Sequence, residues 1–147
     1  MITPTMPEQP SITAALETEH AAIYAYGVIA AFASPTRSGQ VRADVAAHRA
    51  MRDALADSLT SAGATPPRAA AGYATPFPVI DPVSAAQLAA QTEFDVSVAW
   101  RGVVENGTTA ETRAFATDAL AAAAVRSALW RSALGMDPWT LAFPGQP

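Results

Sequence analysis

Cysteine and lysine are both absent from this chain of 147 residues. Without cysteine, the protein has no disulfide, no thiolate metal ligand and no cysteine nucleophile. Its nine cationic side chains are all arginines, and thirteen acidic residues outnumber them, so the formal net charge is −4. A chain with this charge balance lacks the basic surface that binds nucleic acid.

Aromatic residues are scarce, at 7% of the chain, and the β-branched runs typical of strands are missing. Half of the residues are hydrophobic, and about half of these are alanine, a strong helix former that allows close packing of helices. A chain of this length is expected to form one domain with one core. The composition therefore predicts an all-α protein.

No segment reads as a membrane span, because charged residues interrupt every alanine-rich run. The first ten residues contain three prolines and have neither the basic nor the apolar region of a signal peptide. We therefore expect a cytoplasmic protein without membrane insertion, whose residues 1–10 form a flexible leader.

Apolar residues recur at helical spacing in four segments, separated by capping and breaking residues. The predicted helices cover about residues 12–32, 38–62, 84–106 and 109–134. Together they form a predicted four-helix bundle over residues 11–135, followed by an extended tail, residues 136–147, docked on the bundle. Ser11 is the expected N-cap of the first helix. The inward seam of the first helix is predicted to contain Leu16, His20, Ile23, Gly27 and Ala30.

The connection between the second and third predicted helices, residues 63–83, contains five prolines, which forbid a regular helix or a central strand. The other two connections are short, which predicts two antiparallel helix hairpins. A helix of about 20 residues is roughly 30 Å long, and roughly ten extended residues cover that distance. The long connection is therefore predicted to cross the whole bundle, as in ferritin-like folds. An up-down-up-down bundle with a long surface loop is the alternative.

Ionisable residues occur on the predicted inward faces. Glu17, Glu19 and His20 interrupt an otherwise apolar run, and Glu17 and His20 share one helix face. Asp44 and His48, four residues apart, lie on the inward stripe of the second predicted helix. Carboxylates and imidazoles at such spacings hold metal ions in the cores of helix bundles.

Two interpretations of this polar cluster remain open. In the first, it binds a divalent metal such as iron, manganese or zinc. The candidate ligands are Glu17, His20, His48 and Glu93, with Asp44 and Asp118 as second choices. In the second, the acids form a buried polar network neutralised by arginines. The candidate arginines are Arg49, Arg52, Arg101 and Arg126. We favour the second interpretation and expect neither a cofactor nor a catalytic residue.

Five segments together resemble a known family. They are ETEHAAIYAYGV (17–28), AAHRAMRDAL (46–55), GYATPFPV (72–79), ALWRSALG (128–135) and FPG (143–145). They are similar to the small actinobacterial ferritin-like domain family of unknown function. The resemblance spans nearly the whole chain after residue 12 and implies a ferritin-like four-helix fold, but no activity.

The di-metal pattern of ferritin-like proteins needs a glutamate on each of two helices and a Glu-x-x-His motif on each of the other two. Glu17 and His20 fit one such motif, and Glu93 fits a lone glutamate. Asp44 and His48 have the wrong spacing, and the fourth predicted helix has no histidine. This incomplete set disfavours di-iron oxidase chemistry, although it does not decide whether the protein is an enzyme.

Two functional hypotheses follow. The first is a non-catalytic ferritin-like module with a degenerate metal site, which acts as a homodimer or with a protein partner through its helix faces. The second is a metal-binding or redox protein with a non-standard carboxylate and histidine site in the bundle core.

Overall fold

The computed structural model describes residues 2–147, and helices account for all the regular structure in that range. The elements are α1 (Gln9–Phe32), a 3-10 turn (Pro35–Arg37), α2 (Ser38–Ser61), α3 (Pro82–Asn106) and α4 (Ala110–Ala133). The predicted all-α, four-helix fold is confirmed. Three of the helix starts lie within two residues of the predicted positions, whereas α1 begins three residues early.

Contacts along α1 define the directions of α2 and α3. Glu19 contacts Trp100 of α3, and Tyr26, two turns later on α1, contacts Glu93, which precedes Trp100. The same two α1 residues contact α2 in reverse order, through its residues 48 and 44. Helices α2 and α3 therefore both run opposite to α1.

Helix α4 runs in the same direction as α1. Its N-cap Thr109 lies beside Glu8, at the start of α1, and Trp130 lies beside Tyr26. Because α2 and α3 are parallel to each other, the connection over residues 62–81 joins opposite ends of the bundle.

This connection follows the side of α1 from its middle toward its C-terminal end. His20 Nε2 donates to the carbonyl oxygen of Pro67 (3.1 Å), and the rings of Tyr24 and Tyr73 lie 5.5 Å apart. Further along, Phe77 packs against the core cluster that contains Tyr26. The connection is thus held along its length by side chains of the bundle.

Local capping explains where α3 and α4 begin. The Asp81 carboxylate accepts from the backbone N–H of Ser84 (2.7 Å), while Ser84 Oγ accepts from the Asp81 N–H (3.1 Å), and Pro82 occupies the first turn. Thr109 caps α4 by accepting from the N–H of Thr112 (3.1 Å). Ser11 does not cap α1: it lies inside the helix and donates to the Glu8 carbonyl.

Residues 2–8 pack against the bundle and do not extend away from it, in contrast to the predicted leader. Ile2 is 2% exposed and belongs to the core, and the side chain of Glu8 is buried. The Glu8 carboxylate accepts from the backbone N–H groups of Thr5 (2.8 Å), Thr108 (2.7 Å) and Thr109 (2.9 Å). Burial alone would raise the pKa of Glu8, but these bonds outweigh it and lower the pKa to about 2. The hydrogen bonds of Glu8 therefore hold residues 2–8 against the start of α4.

The inward face of α1 differs from the predicted seam. Its buried residues are Ile12, Ala15, Leu16, Glu19, Ala22, Tyr26 and Ile29. Gly27 is exposed, and a Cβ added there would meet nothing within 4 Å. The predicted inward position of Gly27 was therefore wrong. Alanines on every side of α1 leave its apolar periodicity weak, so the sequence pattern did not fix the rotation of the helix.

Two apolar clusters form the core. One contains Leu16, Leu55 and Trp100, and the other contains Ile29, Trp130 and their neighbours. Asp44 and His48 of α2 and Glu93 of α3 lie between the two clusters in sequence, whereas Glu19 of α1 lies among members of the first cluster. We call these buried ionisable residues and their hydrogen-bond partners the polar layer.

The tail, residues 136–147, is held on α3 and α4. Arg131 donates through Nε to the Trp139 carbonyl (3.1 Å) and through Nη2 to the Pro138 carbonyl (2.9 Å). Gly145 has a φ of 75° and sits against the carbonyl of Ser97, where a Cβ would collide with the backbone. Glycine adopts this positive φ without strain and has no Cβ that would collide with Ser97.

Candidate functional site

The polar layer is centred on His48 of α2. Its Nδ1 lies 2.7 Å from Glu19 Oε2, and its Nε2 lies 2.9 Å from Glu93 Oε1. In its imidazolium form, the ring donates from both nitrogens to these carboxylate oxygens. Burial alone would lower the pKa of His48, but the hydrogen bonds and charges of the two glutamates outweigh burial and raise it to about 9.

Glu93 of α3 bonds to a side chain from each of the other three helices. Besides the bond from His48, it accepts from Tyr26 Oη (2.6 Å) and from Arg126 Nε (2.9 Å), which comes from α4. The Glu93 side chain is fully buried, whereas Arg126 is 16% exposed. Burial alone would raise the pKa of Glu93, but the bonds and charges of His48 and Arg126 overcome this and lower it. Glu93 is therefore a buried carboxylate that stays ionised.

Asp44 of α2 extends the layer toward the C-terminal end of α1. Trp130 Nε1 donates to its Oδ2 (2.9 Å), and the Tyr26 hydroxyl lies 3.0 Å from the same oxygen. Burial raises the pKa of Asp44, although the bond from Trp130 opposes the shift. Burial, together with the negative charges of Glu93 and Asp44, also raises the pKa of Tyr26 well above 10. The tyrosine accordingly remains a hydrogen-bond donor.

Trp100 Nε1 completes the layer by donating to the second oxygen of Glu19 (3.1 Å). Two buried side-chain polar atoms within residues 2–147 lack a partner, Gln40 Nε2 and Ser127 Oγ, and neither belongs to this layer. The network therefore satisfies its own hydrogen-bonding groups, as buried charges require.

A resident metal does not fit this arrangement. A histidine ligand must be neutral and point a free lone pair at the ion. His48 instead directs both nitrogens at carboxylates, and the guanidinium of Arg126 lies against Glu93. Within the described part of the chain, no group of three or more histidine, aspartate and glutamate side chains is arranged to hold a metal ion.

The structure brings together some of the predicted ligands and separates others. His48 and Glu93 are in direct contact, and Asp44 lies in the same layer. Glu17 and Asp118 are exposed. His20 lies outside the layer and binds the long connection. The predicted set of Glu17, His20, His48 and Glu93 is therefore not one cluster.

The sequence interpretation left several members of the layer out of the ligand set. They are Glu19, Tyr26, Trp100, Arg126 and Trp130. Glu19 and Tyr26 are seven residues apart, two turns along one helix face, and this spacing could have pointed to them. Arg126 was among the arginines predicted to neutralise buried acids, and of those four it is the one that does so.

The fold and this layer define a ferritin-like four-helix bundle with a closed, hydrogen-bonded polar layer in its interior. A family profile described as a domain of unknown function, DUF4439, matches residues 11–147. The chain belongs to this family. A search of curated protein sequences finds no significant match.

Two solved structures have similar folds. A conserved hypothetical protein, rv2844, from Mycobacterium tuberculosis is 38% identical, with a TM-score of 0.86 over 89% of this chain and 99% of that protein. A structure described as ferritin like, diiron-carboxylate proteins, from Bacillus anthracis str. Ames, is 16% identical, with a TM-score of 0.76 over 86% of this chain and 94% of that one. At that identity, the second similarity concerns the fold alone.

No helix within residues 2–147 is both long and apolar enough to cross a membrane.

Proposed function

We propose that the chain is a non-catalytic ferritin-like module, located in the cytoplasm, in which protein cations occupy the place of a metal centre. It acts through contacts of its outer surface, first of all with a second copy of itself. The observation that carries this proposal is the bridging of Glu19 and Glu93 by His48, with bonds of 2.7 and 2.9 Å.

Charge balance supports the proposal. Two cations, His48 and Arg126, face the carboxylates of Glu19 and Glu93 directly. A divalent ion at this position would have to displace the proton of His48 and move the guanidinium away from Glu93. Removing one partner from a buried pair costs about 3–5 kcal/mol when the other charge is left unpaired, so a metal ion would have to offset the loss of both protein cations.

Metal titration tests the non-catalytic interpretation. The purified protein is treated with a chelator and dialysed, and Fe²⁺, Mn²⁺ and Zn²⁺ are then titrated in separately. We expect no stoichiometric binding at neutral pH. His48→Gln and His20→Gln form a matched pair, because the chain has only these two histidines and one of them lies outside the layer.

The alternative function is a metal-binding or redox protein. It is favoured by the convergence of Glu19, Asp44, His48 and Glu93 in one buried layer. Binding of one or two ions per chain that is lost in His48→Gln and kept in His20→Gln would establish this alternative and refute the first proposal.

An exposed apolar strip supports contact with a second copy. Val125 and Leu129, one turn apart on α4, are 60% and 47% exposed, and Trp139 of the tail is 50% exposed. Val125 and Trp139 line the same small cavity, so the strip is continuous. We call these three residues the α4–tail strip. Exposed apolar surface of this kind is typical of protein interfaces.

Sedimentation velocity over a range of concentrations tests the dimer. We expect a dimer for the unaltered chain and a monomer for Leu129→Glu. Ile80→Glu is the control, because Ile80 is 74% exposed and lies outside the strip. A monomer at high concentration for the unaltered chain would contradict this part of the proposal.

A further inference from the structure

A groove of about 810 Å³ lies beside the α4–tail strip, between α3, the end of α4 and the tail. Its walls are mostly apolar. The apolar side chains that line it include Phe77, Val83, Phe94, Leu134, Met136 and Leu141. Small-molecule sites have volumes of roughly 300–1,000 Å³, mostly apolar walls and a few polar groups. The size and lining of this groove match that description.

Part of the apolar wall is exposed to water. Val83 is 58% exposed, Met136 is 41% exposed and Leu141 is 38% exposed, and all three border the groove. Covering them with an apolar molecule would remove this surface from water, which is favourable. The groove thus provides a driving force for binding an apolar chain.

Ser127 supplies a polar group without a partner. The residue is only 4% exposed, it borders the groove, and its Oγ makes no hydrogen bond with any residue from 2 to 147. Leaving a buried hydroxyl unpaired is costly. The Oγ atom is itself fully buried, so an oxygen atom of a bound molecule becomes its partner only after the Ser127 side chain rotates toward the groove.

Arg131 supplies a positive charge one helical turn after Ser127, on the same face of α4. Its Nε and Nη2 donate to the backbone carbonyls of Trp139 and Pro138, so the guanidinium is fixed in position. Among the ion pairs of the described residues, none involves Arg131. Both N–H groups of Nη1 and one N–H of Nη2 make no hydrogen bond within residues 2–147, which leaves donors for one carboxylate.

We propose that this groove binds a medium-chain aliphatic carboxylic acid, with its chain against Phe77, Phe94 and Leu141 and its carboxylate at Arg131 and Ser127. Only one arginine borders the groove, and the net charge of the chain is −4, so a polyanion would be repelled. A monocarboxylate matches both the single cation and the apolar walls.

Calorimetric titration with decanoate below its micellar concentration tests the proposal, with decyltrimethylammonium as a probe of equal chain length and opposite charge. The unaltered protein is expected to bind one decanoate per chain and the cationic probe at least tenfold more weakly. Arg131→Gln should weaken decanoate binding about tenfold or more, because it removes a charge-assisted hydrogen bond. Val83→Glu should weaken it similarly, whereas Ile80→Glu, which lies outside the groove, should leave it unchanged.

Ser127→Ala gives a readout that does not depend on the charge. Because its hydroxyl is unpaired in the free protein, this variant should keep or raise the Tm while weakening decanoate binding several-fold. The absence of saturable decanoate binding would overturn the proposal, as would equal binding of both probes. Binding that is insensitive to Arg131→Gln and Val83→Glu would also overturn it. Binding to neutral phospholipid vesicles without binding of decanoate would assign the groove to a lipid surface instead.

Discussion

The polar layer predicts that stability falls as the pH rises from 6 to 9. The pKa of His48 is raised to about 9 in the folded protein, from 6.5 for an ordinary histidine. The folded state therefore holds this proton more tightly than the unfolded state. A raised histidine pKa contributes stability that is complete below pH 6.5 and is lost as the pH rises through 9. The difference between the two values corresponds to about 3 kcal/mol, or roughly 10 °C in Tm for a chain of this size.

Urea denaturation at pH 6, 7.5 and 9 measures this contribution. Because the chain has neither cysteine nor lysine, few side chains titrate between pH 6 and 9, and a change in stability over this range is easier to assign to His48. We expect the free energy of unfolding to fall by about 3 kcal/mol in the unaltered protein and in His20→Gln, and to change little in His48→Gln.

A flat stability profile for the unaltered protein would refute this argument, and so would a fall that persists in His48→Gln. If His48→Gln does not fold, the nitrogen chemical shifts of the two imidazoles give a second test. The His48 ring should remain protonated at both nitrogens at pH 8, since both face carboxylates.

Four substitutions test the packing, each by its urea midpoint. Gly27→Ala should stabilise the protein by about 0.5–1 kcal/mol, because the position is exposed and helical, and a loss of stability would mean that Gly27 is packed. Glu8→Ala should lower the free energy of unfolding by about 2–3 kcal/mol, because it removes the acceptor of three backbone N–H groups. Its control is Glu17→Ala at an exposed position, which should change the free energy of unfolding by less than about 0.5 kcal/mol. Arg126→Leu should lower the free energy of unfolding by about 1.5–3 kcal/mol, because the bond to Glu93 is lost. Arg49→Leu, at an exposed position, is the control and should not show this loss. Gly145→Ala should cost about 1–3 kcal/mol and loosen the tail, and an unchanged midpoint would contradict the close contact with Ser97.

Local chemistry in the sequence was enough to predict the number of helices and most of their ends. Asp81, Pro82 and Ser84 form the start of α3, and Thr109 caps α4. Such signals act within one turn of a helix, so they can be interpreted without knowing what packs against them. The long connection also had the length needed to cross the bundle, which favoured the ferritin-like order of helices over the alternative.

The candidate site was predicted only in part. His48 and Glu93 were found because each interrupts a clear apolar stripe, and Asp44 came with His48 at helical spacing. Glu17 and His20 were preferred to Glu19 because they fit the Glu-x-x-His motif, and the alanine-rich α1 has no clear apolar face that would have argued against them. A helix with such a weak pattern can rotate at little cost in buried area, so its neighbours decide which glutamate turns inward.

Local patterns in the sequence were enough to predict four helices and the long connection, and the composition excluded cysteine and lysine chemistry. The tertiary structure alone decided that Glu19 faces His48, that Arg126 reaches Glu93, and that Glu8 closes the leader onto α4. These partners are 29, 33 and 100 residues apart in the chain. Contacts over such separations depend on helix rotation and packing, which no local pattern encodes.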